Sequence, residues 1–222
     1  MFERIVLNVP HSSPVFPLGK ENWDVGIDIE IERWTDWYTD WLFQSIAPRV
    51  IPVVYPFSRF FCDVERLEND PMESVGQGII YKQFNGLLRT ISSLEEEWVR
   101  QSYREHIGRL KTAIQNKHTL LIDCHSFPKD LSNVDICIGF NDDWSKPHDS
   151  IIKKVEGVFL SAGYIVGINT PYTNSFSPLM AFNYQSIMIE VNKKAYLRSN
   201  SVLDKHRSMH LKHILTDLYK TL

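Results

Sequence analysis

Short apolar runs recur along the chain, separated by longer stretches in which apolar residues have helical spacing. The runs are rich in β-branched residues and are closed by turn formers, which predicts strands. They lie at 4–9, 50–55, 119–123, 134–140, 163–169 and 185–191. Pro52 in the second run favours an edge position or a bulge, because proline cannot donate a hydrogen bond to a strand ladder.

Helical spacing is clearest at 92–117. Ser92 or Ser93 can cap this helix, and acidic residues fill its first turn. Its apolar stripe consists of Leu94, Trp98, Tyr103, Ile107, Leu110 and Ile114. Weaker helical patterns lie at 22–47, 149–161 and 201–221. Strands that alternate with helices predict an α/β fold with a mostly parallel, mixed central sheet flanked by helices.

The segment 57–78 departs from both patterns. It reads FSRFFCDVERLENDPMESVGQG, and its charges and turn formers predict a long functional loop. No repeat, low-complexity stretch or linker divides the chain. We therefore expect one domain over residues 1–222.

The composition of the chain argues against several classes of protein. With 43% hydrophobic residues and a net charge of −3, the chain lacks the basic surface expected of proteins that bind nucleic acid or anionic membranes. The sequence has no leader and no membrane-spanning run, so the expected location is cytoplasmic. The three cysteines have no CxxC spacing and indicate neither disulfides nor a cysteine zinc site. Cys62 and Cys137 are expected in the core.

Polar residues stand at the ends of three predicted strands. His11 follows the first, Asp123 and His125 close the third, and Glu190 lies inside the last. Ligands bind outside the carboxyl ends of the strands in such sheets. A buried carboxylate such as Glu190 is costly unless it is paired or lies near a metal. These residues therefore predict a site at one edge of the sheet.

Two histidines and a carboxylate are a suitable ligand set for a catalytic zinc, with water in the fourth position. The sequence has no HExxH motif, so the ligands have to come from separate loops. For each histidine, a hydrogen-bonded structural role is the alternative.

Five short motifs carry a resemblance to a known family. They are VPHSS at 9–13, TDW at 35–37, SRFFCDVER at 58–66, IDCHSF at 122–127 and IEVN at 189–192, in the expected order. With them the chain resembles the N-formylglutamate amidohydrolases, which are zinc-dependent hydrolases with a fold like that of the zinc carboxypeptidases and the phosphorylase/hydrolase group. The resemblance spans nearly the whole chain and implies a single catalytic domain.

The resemblance also implies a site. His11 and His125 match the zinc-binding histidines, and Asp36 in TDW matches the acidic position and is the expected third ligand. Other acidic residues lie close enough in sequence to exchange with it: Asp24, Asp28, Glu30 and Glu32. Glu190 occupies the place of the general base, which takes a proton from the metal-bound water.

Further residues are expected to bind the substrate or to hold the metal ligands in place. Arg59 and Arg66 match the family's arginines and are expected to hold a substrate carboxylate or to polarise the scissile carbonyl. Their alternative is a salt-bridge network with Asp63, Glu65 and Glu68. Asn192 is assigned to substrate contact, with a surface role as the alternative. Asp123 and Ser126 are expected to support the ligands, Asp123 by accepting the other N–H of a metal-bound imidazole.

Two departures from the family pattern bear on substrate. Ser13 replaces the usual glycine after PHS, and Glu65 stands where an asparagine is common, beside Arg66. The leading hypothesis is a zinc amidohydrolase that cleaves a small N-acyl amino acid such as N-formylglutamate. The alternatives are a carboxypeptidase-like peptidase acting on peptide or peptidoglycan fragments, and a metal-binding relative without catalysis. The acyl group and the oligomeric state stay open.

Overall fold

The computed structural model of the protein describes residues 2–115, 117–178, 182–199 and 201–222. Its strands are β1 (Arg4–Val9), β2 (Val50–Val54), β3 (Gln83–Phe84), β4 (Leu87–Leu88), β5 (Thr119–Phe127), β6 (Ile136–Gly139), β7 (Val166–Ile168), β8 (Tyr184–Asn192), β9 (Leu197–Ser199) and β10 (Val202–Leu203). Its α-helices are α1 (Ile27–Trp34), α2 (Thr39–Leu42), α3 (Ser93–Ile114), α4 (Asp149–Ser161) and α5 (Lys205–Thr221).

Six of these strands form the central sheet, in the order β2-β1-β5-β8-β6-β7. The strands β2, β1, β5 and β8 are mutually parallel, whereas β6 runs antiparallel to β8 and pairs in parallel with β7. The predicted α/β fold with a mostly parallel, mixed sheet is therefore confirmed. The strand with Pro52 lies at the edge of the sheet, as its proline predicted.

The helical segment predicted at 22–47 forms in two pieces, both shorter than the predicted range. Only the two short helices α1 and α2 form there, because the backbone turns between them. Thr35 is extended and ends α1, and Tyr38 adopts a left-handed conformation with φ 62° before α2 begins. The interruption brings the backbone of Asp36 to β1, where its N–H donates to the carbonyl of His11 at 2.9 Å.

The helix α3 begins as predicted, with the Ser92 side chain accepting a hydrogen bond from the N–H of Glu95. Its apolar stripe is only partly buried, however. Leu94 and Trp98, the first two residues of the stripe, are 70% and 50% exposed. The N-terminal half of α3 instead packs through Val99 and Tyr103 against a cluster built by the chain around 55–80.

The two faces of the sheet differ in chemistry. One face carries most of the apolar residues of β1, β5 and β8 and packs against α2, α4 and α5. The other face, against which α3 packs, begins with apolar residues such as Val6 and Leu121. Towards the carboxyl ends of the same strands it carries Asn8, Asp123, His125 and Glu190, because residues two apart share a face. This change from apolar to polar positions the site.

Two boundaries refine the prediction. The strand β5 continues to Phe127 with every residue buried, so it is longer than the predicted 119–123 and includes His125 as well as Asp123. The helix α5 begins at Lys205, since Val202 and Leu203 pair with β9. All three cysteines are buried and unbonded, which confirms the core positions of Cys62 and Cys137. Among the described residues, no helix is long and apolar enough to cross a membrane.

Candidate metal centre and active site

His11 and His125 lie side by side at the carboxyl ends of β1 and β5, with ring centroids 5.2 Å apart. They are only 1% and 3% exposed. The structure thus brings together two histidines that are far apart in the sequence. Imidazoles buried beside each other need hydrogen-bond partners or a metal ion for their ring nitrogens.

Each imidazole is held through one nitrogen by a buried aspartate. The Nε2 atom of His11 lies 2.8 Å from an oxygen of Asp63, and the Nδ1 atom of His125 lies 3.1 Å from an oxygen of Asp36. The other nitrogens, His11 Nδ1 and His125 Nε2, are buried and make no hydrogen bond within the described part of the chain. Metal-bound histidines have this arrangement, in which a carboxylate orients the ring.

Glu65 completes the cluster. One ligand atom each from His11, Glu65 and His125 lies within 4.8 Å of the other two. The Glu65 carboxylate is 3.6 Å from His11 Nδ1 and 2.8 Å from His125 Nε2. Two imidazole nitrogens and a carboxylate oxygen are donors that suit a divalent transition metal such as zinc. The residues present therefore fit the metal that the resemblance implies.

Asp36, the expected third ligand, lies beside the same histidines. Its Oδ2 atom is 3.1 Å from His125 Nδ1 and 3.9 Å from His11 Nδ1. Its other oxygen accepts a hydrogen bond from Ser126 at 3.4 Å. The metal role of Asp36 stays a prediction, since its carboxylate is on the side of His125 that faces away from Glu65.

Glu190 is paired with His125 across the parallel strands β5 and β8. The residue is 9% exposed, and its Oε2 atom has no hydrogen-bond partner among the residues described. Burial raises the pKa of Glu190 to about 8, while the adjacent His125 opposes this shift. An unpaired carboxylate next to a candidate metal centre has the position expected of a general base.

Asp63 connects the centre to the two arginines. Besides His11, it accepts a hydrogen bond from the Tyr81 hydroxyl at 2.7 Å and lies 3.2 Å from Arg59 and 3.5 Å from Arg66. Burial favours the neutral carboxyl, but the charges of His11 and Arg59 outweigh it and hold the pKa of Asp63 well below its usual range. The arginines thus pair with Asp63, one of the partners that the salt-bridge alternative named.

These residues line a pocket of about 640 Å³. One wall carries Arg59 and Arg66 from the 57–78 loop, together with the aromatic rings of Trp34, Tyr81 and Phe84. The segment 172–177 and Asn141 also line the pocket, mostly with polar side chains. Both arginine side chains remain partly exposed here, at 18% and 26%, so they can also reach a ligand.

Asn192 is not brought to the pocket. Its amide donates to the carbonyls of Ser132 and Val134 at 3.0 Å each, and its oxygen accepts from the N–H of Lys194. Because these bonds satisfy the amide inside the structure, Asn192 shapes the turn after β8. Asp123 accepts from Asn8 and from the N–H of Phe176, and lies 3.2 Å from His125 Nε2.

The family model of N-formylglutamate amidohydrolase matches residues 3–197, so the chain belongs to that family. A search of curated proteins gave no match.

The fold is similar to two solved structures. One is an N-formylglutamate amidohydrolase from Ralstonia eutropha JMP134, with a TM-score of 0.77 and 18% identity, covering 98% of this chain and 93% of that one. The other is a gene product of Agrobacterium tumefaciens, with a TM-score of 0.72 and 16% identity, covering 99% and 91%. At these identities the likeness supports the fold.

Proposed function

We propose that this member of the N-formylglutamate amidohydrolase family is a zinc-dependent hydrolase that cleaves the amide bond of a small N-acyl amino acid. One observation carries the proposal. His11 Nδ1 and His125 Nε2 make no hydrogen bond among the described residues, and they converge with the carboxylate of Glu65. Glu190 lies beside them, and its Oε2 atom has no hydrogen-bond partner in the described structure either. Buried polar atoms that make no hydrogen bond are costly unless a ligand such as a metal ion binds them.

The zinc is held by His11, His125 and Glu65 in this proposal. Asp63 and Asp36 each accept the remaining N–H of one histidine and fix the orientation of its ring. A bound zinc ion lowers the pKa of a coordinated water to about 7 and polarises a carbonyl oxygen. Asp36 is the alternative third ligand, and Ser126 holds the carboxylate of Asp36 in place.

Glu190 is the proton carrier. Its carboxylate accepts a proton from the attacking water and returns it to the nitrogen of the leaving amine, so that the proton balance is closed within one turnover. The raised pKa of Glu190 suits a group that must hold the proton between these steps. Its place inside β8, hydrogen-bonded through the backbone to β5, keeps the carboxylate at a fixed distance from His125.

Arg59 and Arg66 bind the carboxylate of the substrate. Guanidinium groups form paired hydrogen bonds with carboxylates, which suits an N-acyl amino acid. Asp63, which accepts a hydrogen bond from the Tyr81 hydroxyl, holds the arginines at the pocket wall, and the same aspartate orients His11. Substrate binding and the metal centre therefore share one buried carboxylate.

Metal analysis and a substrate panel test the proposal. Purified protein should contain about one zinc per chain, and His125→Ala should lose it, whereas the exposed His206→Ala should not. Formylated, acetylated and succinylated amino acids, and short peptides, should be assayed for release of free amine. Hydrolysis of peptides alone would favour the carboxypeptidase-like alternative, and metal binding without any hydrolysis would favour a non-catalytic relative. The expected cytoplasmic location and single catalytic domain stay predictions.

A further inference from the structure

A chain of buried polar side chains leads away from the candidate metal centre to the helix α3. The Nε2 atom of His106 lies 2.9 Å from the Asn8 side-chain oxygen, and the Asn8 amide donates to Oδ1 of Asp123 at 2.8 Å. The same Asp123 oxygen is 3.2 Å from His125 Nε2. His106, Asn8 and Asp123 are each at most 1% exposed. This buried polar chain therefore has no access to bulk water.

The chemistry of the groups fixes which one donates and which one accepts in each of these hydrogen bonds. A carboxylate can only accept, so the Asn8 amide must turn its NH₂ group towards Asp123 and its oxygen towards His106. His106 must then donate through Nε2–H. Burial lowers the pKa of His106 to about 3, which keeps the ring neutral, and the Nδ1 atom makes no hydrogen bond in the parts of the chain described. The His106 tautomer with its proton on Nε2 therefore matches the Asn8 orientation in which the side-chain oxygen faces His106 and the NH₂ group faces Asp123.

Asp123 contacts two parts of the pocket lining, His125 and the backbone of Phe176. Its Oδ1 atom lies next to His125, while its Oδ2 atom accepts the backbone N–H of Phe176 at 3.1 Å. Phe176 belongs to the segment 172–177, which lines the same pocket as Arg59 and Arg66. A carboxylate that rotated away would release the wall segment and would also remove a negative charge from beside the ligand histidine.

We propose that His106 is a positioning residue: through Asn8 it holds Asp123 in the orientation that the metal-binding His125 and the pocket wall at Phe176 require. This inference rests on the proposed function, because it concerns the same metal centre. Asp36 holds the other ring nitrogen of His125, so Asp123 acts through its negative charge beside Nε2, the nitrogen assigned to the zinc. Outer-shell partners of metal ligands contribute about 10- to 100-fold to metal affinity in known sites.

Zinc affinity, measured by competition with a chelating dye, tests the inference without an activity assay. His106→Leu removes the donor and should weaken zinc binding at least about tenfold. His106→Gln restores an N–H near the place of Nε2 and should bind zinc within about threefold of the wild type. Tyr55→Phe is the matched control, because the Tyr55 ring packs against His106 while its hydroxyl bonds to Ser102, away from the Asn8–Asp123 path.

A second variant protects the test against a folding defect in His106→Leu. Asn8→Ala should weaken zinc binding by a similar factor, and the double variant should be no weaker than Asn8→Ala alone, because both residues act along one path. Wild-type zinc affinity in His106→Leu or in Asn8→Ala would overturn the inference. So would equal losses in His106→Leu and His106→Gln. If His125→Ala itself retains zinc, the proposed function fails first, and the two failures are thereby distinguished.

Discussion

His125 and Glu190 are directly paired on the adjacent parallel strands β5 and β8. Their side chains share the face of the sheet against which α3 packs, and both are buried. Paired positions on neighbouring strands are separated by the strand spacing of roughly 4.8 Å. The backbone ladder therefore sets the distance between a candidate metal ligand and a candidate base, which a loop could do less rigidly.

We expect Glu190→Gln to keep its zinc and to lose turnover. The amide has the shape of the carboxylate but cannot take a proton from water, so kcat should fall by about 10²- to 10⁴-fold. Zinc content measured beside steady-state hydrolysis separates the two effects. The control is Glu97→Gln, an exposed position on α3. Turnover within a few-fold of the wild type would remove Glu190 from the mechanism.

Glu65→Gln and Asp36→Asn should have unequal effects on zinc affinity. Glu65 approaches both nitrogens that lack hydrogen bonds, whereas Asp36 contacts the His125 nitrogen on the other side of the ring. Asp36→Asn should lower zinc affinity about 10- to 100-fold, as the loss of an orienting partner does. Glu65→Gln should lower zinc affinity more than that. Both can be titrated against a chelating dye. The opposite order would make Asp36 the third ligand.

Some residues of the candidate metal centre could be predicted from the sequence, and others could not. His11, His125 and Glu190 end or interrupt apolar runs, and strand periodicity places them on one edge of the sheet. Glu65 and Asp63 lie in an irregular loop, where no period relates sequence position to direction in space. The motif SRFFCDVER contains both, but only the folded loop brings them to His11. From the sequence, Glu65 was expected only as a negative charge beside Arg66, and Asp63 only as a salt-bridge partner of the arginines. Neither was predicted to contact a histidine.

Arg66→Ala should raise KM for an N-acyl amino acid more than for its uncharged carboxamide. A charged hydrogen bond contributes about 1.5–3 kcal/mol, so kcat/KM should fall by about 10- to 100-fold for the acid. Arg59→Ala should act similarly and also loosen Asp63, to which Arg59 is closer. The control is Arg100→Ala, an exposed partner of Glu96 on α3. Unchanged kinetics in both variants would mean that the arginines serve Asp63 alone.

The helices show a second limit of sequence reasoning. The pattern at 92–117 predicts α3 and its cap at Ser92, because both depend on local spacing. Which face is buried depends on the 57–78 loop, which covers Val99 and Tyr103 and leaves Leu94 and Trp98 outside. His106 shares the face of Tyr103 and Leu110, three and four residues away, and this spacing was the available signal for its burial.

The stability of the protein should depend on pH through His106. The folded-state pKa is lowered to about 3, whereas an unfolded histidine has a pKa of about 6.5, so between these values the unfolded chain binds one proton more. Stability from this group is present above pH 6.5 and is lost as the pH falls, with a slope of up to about 1.4 kcal/mol per pH unit. Urea unfolding from pH 7 to pH 5 measures it.

His106→Gln cannot take up that proton. Its free energy of unfolding should therefore fall less steeply than that of the wild type over the same pH range, by up to one proton's slope. The exposed His206→Gln is the control and should follow the wild type. Using the difference between variants removes the contributions of the carboxylates around the site, which titrate in both proteins. Parallel slopes for wild type and His106→Gln would show that His106 takes up its proton in the folded protein, and so would contradict its neutral, donating role.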